Sequence, residues 1–394
     1  MGKWKEKRLD KITSKITDGS HNPPKKVDIG YPMYSGRNLV NGKLDFSNPS
    51  RYVDELGFEK ENKRTNIQAR DIFLSIVGSI GLTAIVPENF EPFLIQRSIA
   101  LIRTKENSEF FRYYFESPSF QNYLEKEARG AAQKGVYLTT LRATKIPLPP
   151  LPEQQRIVTK LDGLFAKIDQ AIGLLEDNIL HMQALMGSVL DVIYSDGDTM
   201  LKDACAIGPK KSEVKDVDDD LEVSFLPMRD LNEHNINFIP NVTRKIYEVY
   251  KGYTYFADGD IVLAKVTPCF ENGKAGLAKD LTNGIGFGST EYHVLRPKEN
   301  VLPEWIYFAV LTEQFRVTGK ENMTGTGGLK RIPQPFLGEW KIPVPELSIQ
   351  NKQIKRIVKI QDETKQLEVS IQEKLNHLKA LKSSLLDQAF KGEL

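Results

Sequence analysis

The sequence predicts a mixed α/β (α+β) fold built as an internal pseudo-two-fold repeat, in which two long antiparallel coiled-coil helices separate two globular units. Three observations predict it: a segment that recurs 196 positions later, an apolar pattern of helical period after each copy, and a mixture of strand-like and helix-like runs before each copy. The predicted boundaries are 1–151 and 197–347 for the globular units, and 152–196 and 348–394 for the helices.

The repeat is sharpest around a proline-rich segment. Ile146-Pro-Leu-Pro149 recurs as Ile342-Pro-Val-Pro345. The same offset continues without a gap in the pairs Gln154 and Gln350, His181 and His377, and Asp191 and Asp387. Upstream, the offset drifts between 189 and 193, as in the pairs Asp71 and Asp260, Arg103 and Arg296, and Tyr114 and Tyr307. Each half is therefore a variable globular unit with insertions in its loops, followed by a better-matched tail.

The tails are predicted to be helices, because their apolar residues are spaced alternately by three and four, which is typical of a coiled-coil seam. Pro152 suits a first helical turn, and Ser348 suits an N-cap. A helix of about forty residues is about 60 Å long, and its single apolar stripe needs a partner. The chain must return, so the pair should be antiparallel. The predicted seam comprises Leu161, Ile168, Leu175, Met182, Val189, Ile357, Ile371, Leu378 and Leu385, and the pattern also includes Leu185, Leu367 and Leu381.

The globular units combine apolar strand-like runs with amphipathic helical runs, separated by Asn-Gly and Asp-Gly turn signals. The predicted strands are 71–75, 82–86, 99–103, 260–265 and 292–296. The predicted helical segments are 110–129 and 304–317.

Composition is that of a globular protein, with 40% apolar residues, 27% charged residues and a mean hydropathy of −0.37. No apolar run approaches the roughly 18 residues that span a bilayer, and residues 1–10 lack an apolar signal core. Two cysteines make neither a disulfide framework nor a zinc set, so a reducing cytoplasm fits best. The net charge is only +2, but residues 1–26 are basic and 216–222 acidic. Separate basic and acidic segments suit a protein that contacts DNA on one side and other proteins on another.

A search for catalytic chemistry finds no convincing centre. A DNA adenine methyltransferase needs an aromatic residue after Pro-Pro to stack the flipped base, but Pro24 is followed by Lys25. The glycines at 284, 286 and 288 precede a strand rather than open a helix, which is contrary to a cofactor loop. Asp258, Asp260 and Lys265 approach a nuclease motif, yet a turn into a strand explains them better. The helical His181 and His377 are interpreted as packing or interhelical hydrogen-bonding residues. No catalytic residue and no metal ligand is assigned.

Three segments of the sequence resemble those of a known protein family. The segment 146–172, IPLPPLPEQQRIVTKLDGLFAKIDQAI, closely resembles the junction between the first recognition domain and the central helix of type I restriction–modification specificity subunits. The ending LLDQAFKGEL resembles their C-terminus, and DIFLSIVGSIGLTAIVP at 71–87 resembles a strand pair common in their target-recognition domains. The likeness covers the whole chain. The second junction departs from it at 345–350, and Thr364 stands where the first helix has Ile168.

The resemblance implies that 1–151 and 197–347 are target-recognition domains, 152–196 a central conserved helix and 348–394 a C-terminal conserved helix. It implies a non-catalytic DNA-specificity subunit of a multisubunit DNA adenine methyltransferase/endonuclease, which binds an asymmetric bipartite site in double-stranded DNA. The partners would be two modification (methyltransferase) subunits and, through them, restriction (motor–nuclease) subunits, with no membrane. No cofactor is expected in this chain, because S-adenosylmethionine and ATP would belong to partner subunits.

Candidate DNA contacts are polar and basic residues in Gly-rich or Pro-rich loops. Arg and Lys suit guanine edges, Asn and Gln suit adenine, and phosphate contacts fix the register. The glycine-bearing loops 130–135 and 325–328 lie at matching places before each junction, where glycine permits close approach to phosphate. The candidates in the first domain are Ser20, His21, Lys25, Lys26, Arg97, Arg129, Gln133 and Lys134. Those in the second are Arg229, Lys265, Thr267, Lys274, Thr326, Lys330 and Arg331.

Three alternatives remain open from the sequence. The chain could be an enzyme with an unrecognised catalytic centre, or a coiled-coil adaptor that never contacts DNA. It could also serve a related system in which the catalytic partners are fused or rearranged.

Overall fold

A computed structural model describes residues 4–130, 134–233, 235–238, 240–326 and 328–394. The chain divides into two compact units. Unit 1 comprises Met1–Leu175 and Gln372–Leu394, and unit 2 comprises Glu176–Ile371. Part of each long helix belongs to each unit, so the helices are integral to the units rather than external linkers.

Unit 1 combines short strands with four helices and the first part of a long one. Its strands are β1 (Glu6–Arg8), β2 (Thr13–Asp18), β3 (Tyr31–Tyr34), β4 (Leu39–Val40), β5 (Lys43–Leu44), β6 (Arg51–Val53), β7 (Ile72–Ser75), β8 (Thr83–Ile85), β9 (Leu94–Ile95), β10 (Ile99–Thr104) and β11 (Lys145–Pro147). Its helices are α1 (Glu55–Thr65), α2 (Ser108–Glu116), α3 (Pro118–Glu127), α4 (Leu138–Ala143) and the start of α5 (Leu151–Tyr194).

The main sheet of unit 1 is antiparallel, in the order β2-β10-β7-β8, and a second sheet has the order β6-β3-β9. Side chains of β7 alternate between two cores, as a strand period of two requires. Ile72 and Leu74 pack with the aromatic residues of α2 and with α5, whereas Phe73 packs with Phe93 and Leu101 on the opposite face. All four residues of β7 are buried, which explains its continuous apolar sequence.

Unit 2 has the corresponding elements. Its strands are β12 (Thr199–Met200), β13 (Cys205–Ile207), β14 (Glu222–Leu226), β15 (Asn237–Phe238), β16 (Val242–Lys245), β17 (Thr254–Ala257), β18 (Ile261–Ala264), β19 (Ala275–Ala278), β20 (Ile285–Gly288), β21 (Tyr292–Pro297) and β22 (Lys341–Ile342). Its helices are α6 (Leu201–Ala204), α7 (Ile246–Val249), α8 (Pro303–Ala309), α9 (Glu313–Glu321), α10 (Gln334–Glu339) and the start of α11 (Leu347–Lys391).

The sheets of unit 2 repeat the plan of unit 1. The order β13-β21-β18-β19 matches β2-β10-β7-β8, with β15 added at the edge. The order β16-β14-β20 matches β6-β3-β9, with the same antiparallel and parallel pairings, and β17 is added. In both units the strand before the long helix pairs with the first strand of the unit. The predicted mixed α/β class, the internal repeat and the long helices are therefore confirmed.

Two predicted helical segments are each two helices. Ser117 accepts a hydrogen bond from the N–H of Phe120 and is followed by Pro118, so α2 ends and α3 begins there. At the matched place Thr312 accepts from the N–H of Phe315 and starts α9. A side-chain cap satisfies the free N–H groups of the second helix, and a break therefore costs little. The glycines at 286 and 288 precede the predicted strand, which is β21, and they lie within a further strand, β20.

The start of each long helix is fixed by a buried glutamine, and we call this arrangement the helix joint. Gln154 accepts a hydrogen bond from the N–H of Asn107 at 3.1 Å and donates to the carbonyl of Pro149 at 2.9 Å. Gln350 accepts from the N–H of Leu302 at 2.9 Å and donates to the carbonyl of Pro345 at 2.7 Å. Both glutamines are fully buried. Each joint ties the first turn of its helix to the turn that precedes α2 or α8.

The joint explains why the predicted N-cap at Ser348 is wrong. Helix α11 begins at Leu347, so Ser348 lies inside its first turn. The carbonyl of Glu346 accepts the first hydrogen bonds, from the N–H groups of Ile349 and Gln350. Pro152 does lie in the first turn of α5.

Within unit 1 the two long helices run antiparallel. Arg156 Nη2 donates to the carbonyl of Leu394 at 2.7 Å, and Lys382 Nζ donates to Asp169 Oδ1 at 2.6 Å, so one residue number rises as the other falls. Among the predicted seam residues, Leu161, Ile168, Ile357 and Ile371 are buried, and Leu175, Met182, Val189, Leu378 and Leu385 are partly buried.

The predicted apolar stripe is not covered throughout. Leu185, Leu367 and Leu381 are exposed, by 55%, 49% and 46% respectively. His181 and His377 are also exposed, which argues against the packing role among the two interpretations given for them. In the described ranges no helix is long and apolar enough to cross a membrane.

Candidate nucleic-acid interface

Unit 1 presents a hairpin near the end of its globular part. We call it hairpin 1 and define it by Arg129, Gly130, Lys134 and Gly135. Arg129 and Gly135 exchange both of their main-chain hydrogen bonds, at 2.8 and 2.9 Å. The N–H of Gly78 donates to the carbonyl of Lys134, and the N–H of Val136 donates to that of Ile76, so the segment after β7 anchors the hairpin. Arg129 and Lys134 are exposed. The predicted contact Gln133 lies outside the described residues.

Unit 2 presents the same hairpin at the matched place. We call it hairpin 2 and define it by the described residues of 324–331. Thr324 and Arg331 exchange both main-chain hydrogen bonds, at 3.0 and 2.8 Å. Thr267 donates its N–H to the carbonyl of Lys330, and Ile332 donates to that of Lys265, which repeats the anchoring of hairpin 1 after β18. Gly130 and Gly325 have φ values of 123° and 136°, which favour glycine at the same hairpin position.

Hairpin 2 brings several predicted contacts together. The Thr267 hydroxyl donates to the carbonyl of Gly328 at 3.0 Å and accepts from the N–H of Lys330 at 3.1 Å. Lys330 and Thr326 are exposed, and Lys265 lies on the strand segment beneath them. These residues form one polar surface, whose position is set by main-chain hydrogen bonds rather than by the side chains that would contact a ligand.

Arg331 on this surface is paired with Glu291. Its Nη2 lies 2.7 Å from Glu291 Oε1 and its Nε lies 2.9 Å from Oε2. The hydrogen bonds from Arg331 hold the pKa of Glu291 below its ordinary value and raise that of the guanidinium. Arg331 therefore stays charged and oriented.

A second group of predicted contacts lies in unit 1 at the end of β2. Asp18 accepts from His21 Nε2 at 2.7 Å and from Arg64 Nη1 at 3.0 Å, so one carboxylate orients both side chains. Arg97 is exposed and adjoins them through its N–H, which donates to the carbonyl of Ser20. The Ser20 side chain itself is buried, which argues against its prediction as a contact, and its main chain pairs with Ile95 and Arg97.

The remaining predicted contacts are less concentrated. Lys25 and Lys26 are exposed on the loop that leads to β3. Arg229 is exposed beside Asp230, 3.5 Å away, at a turn after β14. Lys274 is partly buried and pairs through its main chain with Ala264 and Cys269 at the start of β19. None of these three sites shares a hydrogen bond with either hairpin within the described part of the chain.

The sequence did not predict two residues that pair with the candidate contacts. Arg64 and Glu291 were not predicted, although each pairs with a residue of the candidate surfaces. Glu291 and Arg331 are forty positions apart, and Arg64 and Asp18 are forty-six apart. No local motif signals such a pairing, because the sheet topology creates it.

The carboxylates that resembled a nuclease motif have structural roles. Asp260 is fully buried and accepts two hydrogen bonds from Arg296, both at 2.7 Å. Asp71 and Arg103 form the same pair in unit 1, also with two bonds of 2.7 Å. Asp258 accepts from the N–H of Leu281. Among the described residues, no group of three or more His, Cys, Asp or Glu could hold a metal ion.

The fold thus comprises two matched α/β units, each with an anchored polar hairpin and each joined to a long helix by a buried glutamine. A family model described as the type I restriction modification DNA specificity domain matches residues 1–176 and 198–377. The chain belongs to this family.

Curated relatives agree with this membership. The type I restriction enzyme EcoEI specificity subunit of Escherichia coli is 41% identical over 146 residues, which are 37% of this chain and 24% of the relative. The EcoAI specificity subunit of Escherichia coli is 40% identical over 152 residues, 38% and 26% respectively. The chain therefore spans about a quarter of these two relatives. The EcoKI specificity subunit of Escherichia coli (strain K12) is 22% identical over 397 residues, 92% of this chain and 82% of the relative.

Solved structures agree on the fold. A chain from “Structural basis underlying complex assembly and conformational transition of the type I R-M system” has a TM-score of 0.71 at 20% identity, and the match covers 99% of this chain and 98% of that one. The crystal structure of the HsdS subunit from Thermoanaerobacter tengcongensis has a TM-score of 0.55 at 20% identity, covering 99% and 97%.

Proposed function

We propose that this chain is the DNA sequence-specificity subunit of a type I restriction–modification complex. It is non-catalytic and binds an asymmetric bipartite site in double-stranded DNA. It docks two modification subunits and, through them, the restriction subunit. S-adenosylmethionine and ATP are bound by those partners. Residues 1–151 and 197–347 are the two target-recognition domains, and 152–196 and 348–394 are the conserved helices that hold the partners.

The observation that supports this function best is the matched pair of hairpins. Their main-chain hydrogen bonds are the same, whereas their side chains differ: Gly135 in hairpin 1 corresponds to Arg331 in hairpin 2. A reader of a two-part site needs two similar scaffolds with different base-contacting groups, because base edges carry the sequence information. Different groups at matched positions also make the two half-sites different, so the site is asymmetric.

Within this proposal the exposed cations of hairpins 1 and 2, together with His21, Lys25, Lys26 and Arg97, contact DNA. Positive side chains on phosphates release counterions, so binding weakens as salt is raised. The seam residues of the long helices take no part in contacting DNA.

The test is a double variant, Lys330→Ala with Arg331→Ala, in the complex with modification subunits. We expect methylation of the cognate target and its binding at physiological salt to weaken by at least tenfold, since each lost phosphate or base contact costs on the order of 1 kcal/mol or more. Assembly with the modification subunits, measured by size-exclusion chromatography, should be unchanged.

The matched control is Lys202→Ala with Lys298→Ala, which removes two exposed charges from unit 2 beside α6. It should leave binding within twofold of the wild type. The absence of any gel shift, with or without modification subunits, would favour the adaptor alternative. Methylation or cleavage by the purified chain alone would favour an enzyme.

A further inference from the structure

The Arg331 guanidinium has a defined free edge. Its Nε donates to Glu291 Oε1 at 3.1 Å and Oε2 at 2.9 Å, and its Nη2 donates to Oε1 at 2.7 Å. The carboxylate therefore occupies the side edge of the planar fork. Within the described residues, the protein hydrogen bonds of this side chain use Nε and Nη2 alone, which leaves Nη1 and the second N–H of Nη2 along the end edge.

The two N–H groups along this end edge are complementary to the major-groove edge of guanine. Two parallel N–H groups of a guanidinium fit the O6 and N7 acceptors of guanine in the major groove. A lysine on the same backbone would bring charge but no fork, and it would serve a phosphate as well as a base. The neighbouring Lys330 is such a point charge.

The backbone that carries Arg331 is held from both sides. Its own N–H and carbonyl both pair with Thr324, and the next residue donates its N–H to the carbonyl of Lys265. His293 Nε2 lies 2.9 Å from the carbonyl of that next residue, Ile332. The backbone of Arg331 and the side edge of its guanidinium are both held in place. Such a side chain loses little conformational entropy when it binds a ligand.

Unit 1 has no counterpart of this pair. Hairpin 1 has Gly135 at the position of Arg331, and β10 is preceded by Ser98 at the position of Glu291. The feature therefore belongs to one head of the molecule and bears on one half-site.

We propose that Arg331 reads one guanine in the half-site bound by unit 2, and that Glu291 is the positioning residue that presents the end edge of its guanidinium to that base. This proposal rests on the proposed function and narrows it to one base pair. Glu291 also repels phosphate, so it disfavours a non-specific backbone contact by the same arginine.

The experiment uses the complex with modification subunits and its cognate duplex, identified by mapping methylated adenines. Each guanine of both half-sites is replaced in turn by 7-deazaguanine, which keeps base pairing but lacks the N7 acceptor. We expect one such replacement, in one half-site, to weaken wild-type binding by about tenfold. Arg331→Lys keeps the charge but lacks the planar fork, so it should reduce this sensitivity, while its salt dependence stays close to that of the wild type.

Glu291→Gln separates positioning from charge. It should bind non-specific DNA at least as tightly as the wild type, because a negative charge is removed, yet show reduced sensitivity at the same guanine. Lys330→Gln is the matched control, which should weaken binding to every duplex alike and keep the sensitivity. Thermal melting of each variant checks folding.

Three outcomes would overturn the proposal while leaving the proposed function intact: a half-site bound by unit 2 that has no guanine on either strand, a wild-type complex indifferent to every 7-deazaguanine, or an Arg331→Lys variant with undiminished sensitivity. A Glu291→Gln variant that keeps full sensitivity would remove the positioning role. Binding without any sequence preference would instead be a failure of the proposed function.

Discussion

Hairpins 1 and 2 are held by the same main-chain hydrogen bonds. Their side chains differ where the second strand of each hairpin pairs with the first: hairpin 1 has Gly135 there and hairpin 2 has Arg331. The helix joints behave differently, because Gln154 and Gln350 are the same residue with the same kinds of partner in both units. The difference lies in what makes the contact. A frame built from backbone groups tolerates different side chains at 135 and 331, whereas a joint built from a side-chain amide requires that amide.

The comparison extends to the cores. The buried pairs Asp71–Arg103 and Asp260–Arg296 use side chains and are retained, although the loops around them differ in length by several residues. Side-chain contacts that cross between strands are therefore the shared skeleton of the two units, and the surface of each hairpin is the part free to diverge.

The largest effect should come from breaking these pairs. Arg103→Met and Arg296→Met keep the aliphatic stem but leave a buried carboxylate without its cation. We expect a loss of about 3 kcal/mol in the free energy of opening of the altered unit, since removing one partner of a buried pair is strongly destabilising. Hydrogen exchange followed by mass spectrometry measures this free energy for each unit separately.

A similar loss in both units would support the shared skeleton. A loss in unit 1 alone would break the comparison, because each arginine also has one further partner, the carbonyl of Asn66 at 2.7 Å for Arg103 and Glu213 at 2.6 Å for Arg296. The control is Arg229→Met, an exposed arginine whose loss should cost less than about 0.5 kcal/mol.

The next effect concerns the helix joints. Gln154→Leu and Gln350→Leu leave the N–H of Asn107 or Leu302 buried without its acceptor, and we expect a loss of about 1–3 kcal/mol in the corresponding unit. Exchange of the first turn of α5 or α11 should accelerate first. Gln155→Leu is the matched control, since Gln155 is exposed and adjoins the same turn. If Gln155→Leu and Gln154→Leu accelerated hydrogen exchange equally, Gln154 would stabilise the first turn no more than an exposed glutamine does.

These residues also show what the sequence could predict. The repeat, the long helices, strands β7, β10, β18 and β21 and the place of both hairpins follow from periodicity and internal matching, because burial on both faces of a strand produces a continuous apolar run. The pairing of Glu291 with Arg331 could not be predicted, since it depends on which strands become neighbours. The burial of Ser20, whose N–H donates to the carbonyl of Ile95, could not be predicted for the same reason.

The smallest effect is a difference in acid sensitivity between the units. Burial lowers the pKa of His293, and Lys265 lowers it further, against opposing contributions from the carbonyl of Ile332 and from Glu291. The unfolded chain then binds a proton more readily than the folded unit, so the stabilising contribution of the neutral ring is complete above about pH 6.5 and is lost as the pH falls below that value. Unit 1 has Ala100 at the matched position in β10, so this position contributes no pH dependence to the stability of unit 1.

We therefore expect that lowering the pH from about 7.5 to about 5.5, across the ordinary histidine pKa, accelerates corrected hydrogen exchange in β21 more than in β10. His293→Gln keeps an N–H donor for the carbonyl of Ile332 but does not titrate, and it should remove the difference. Equal acceleration of both strands in the wild type would show that His293 is not its source.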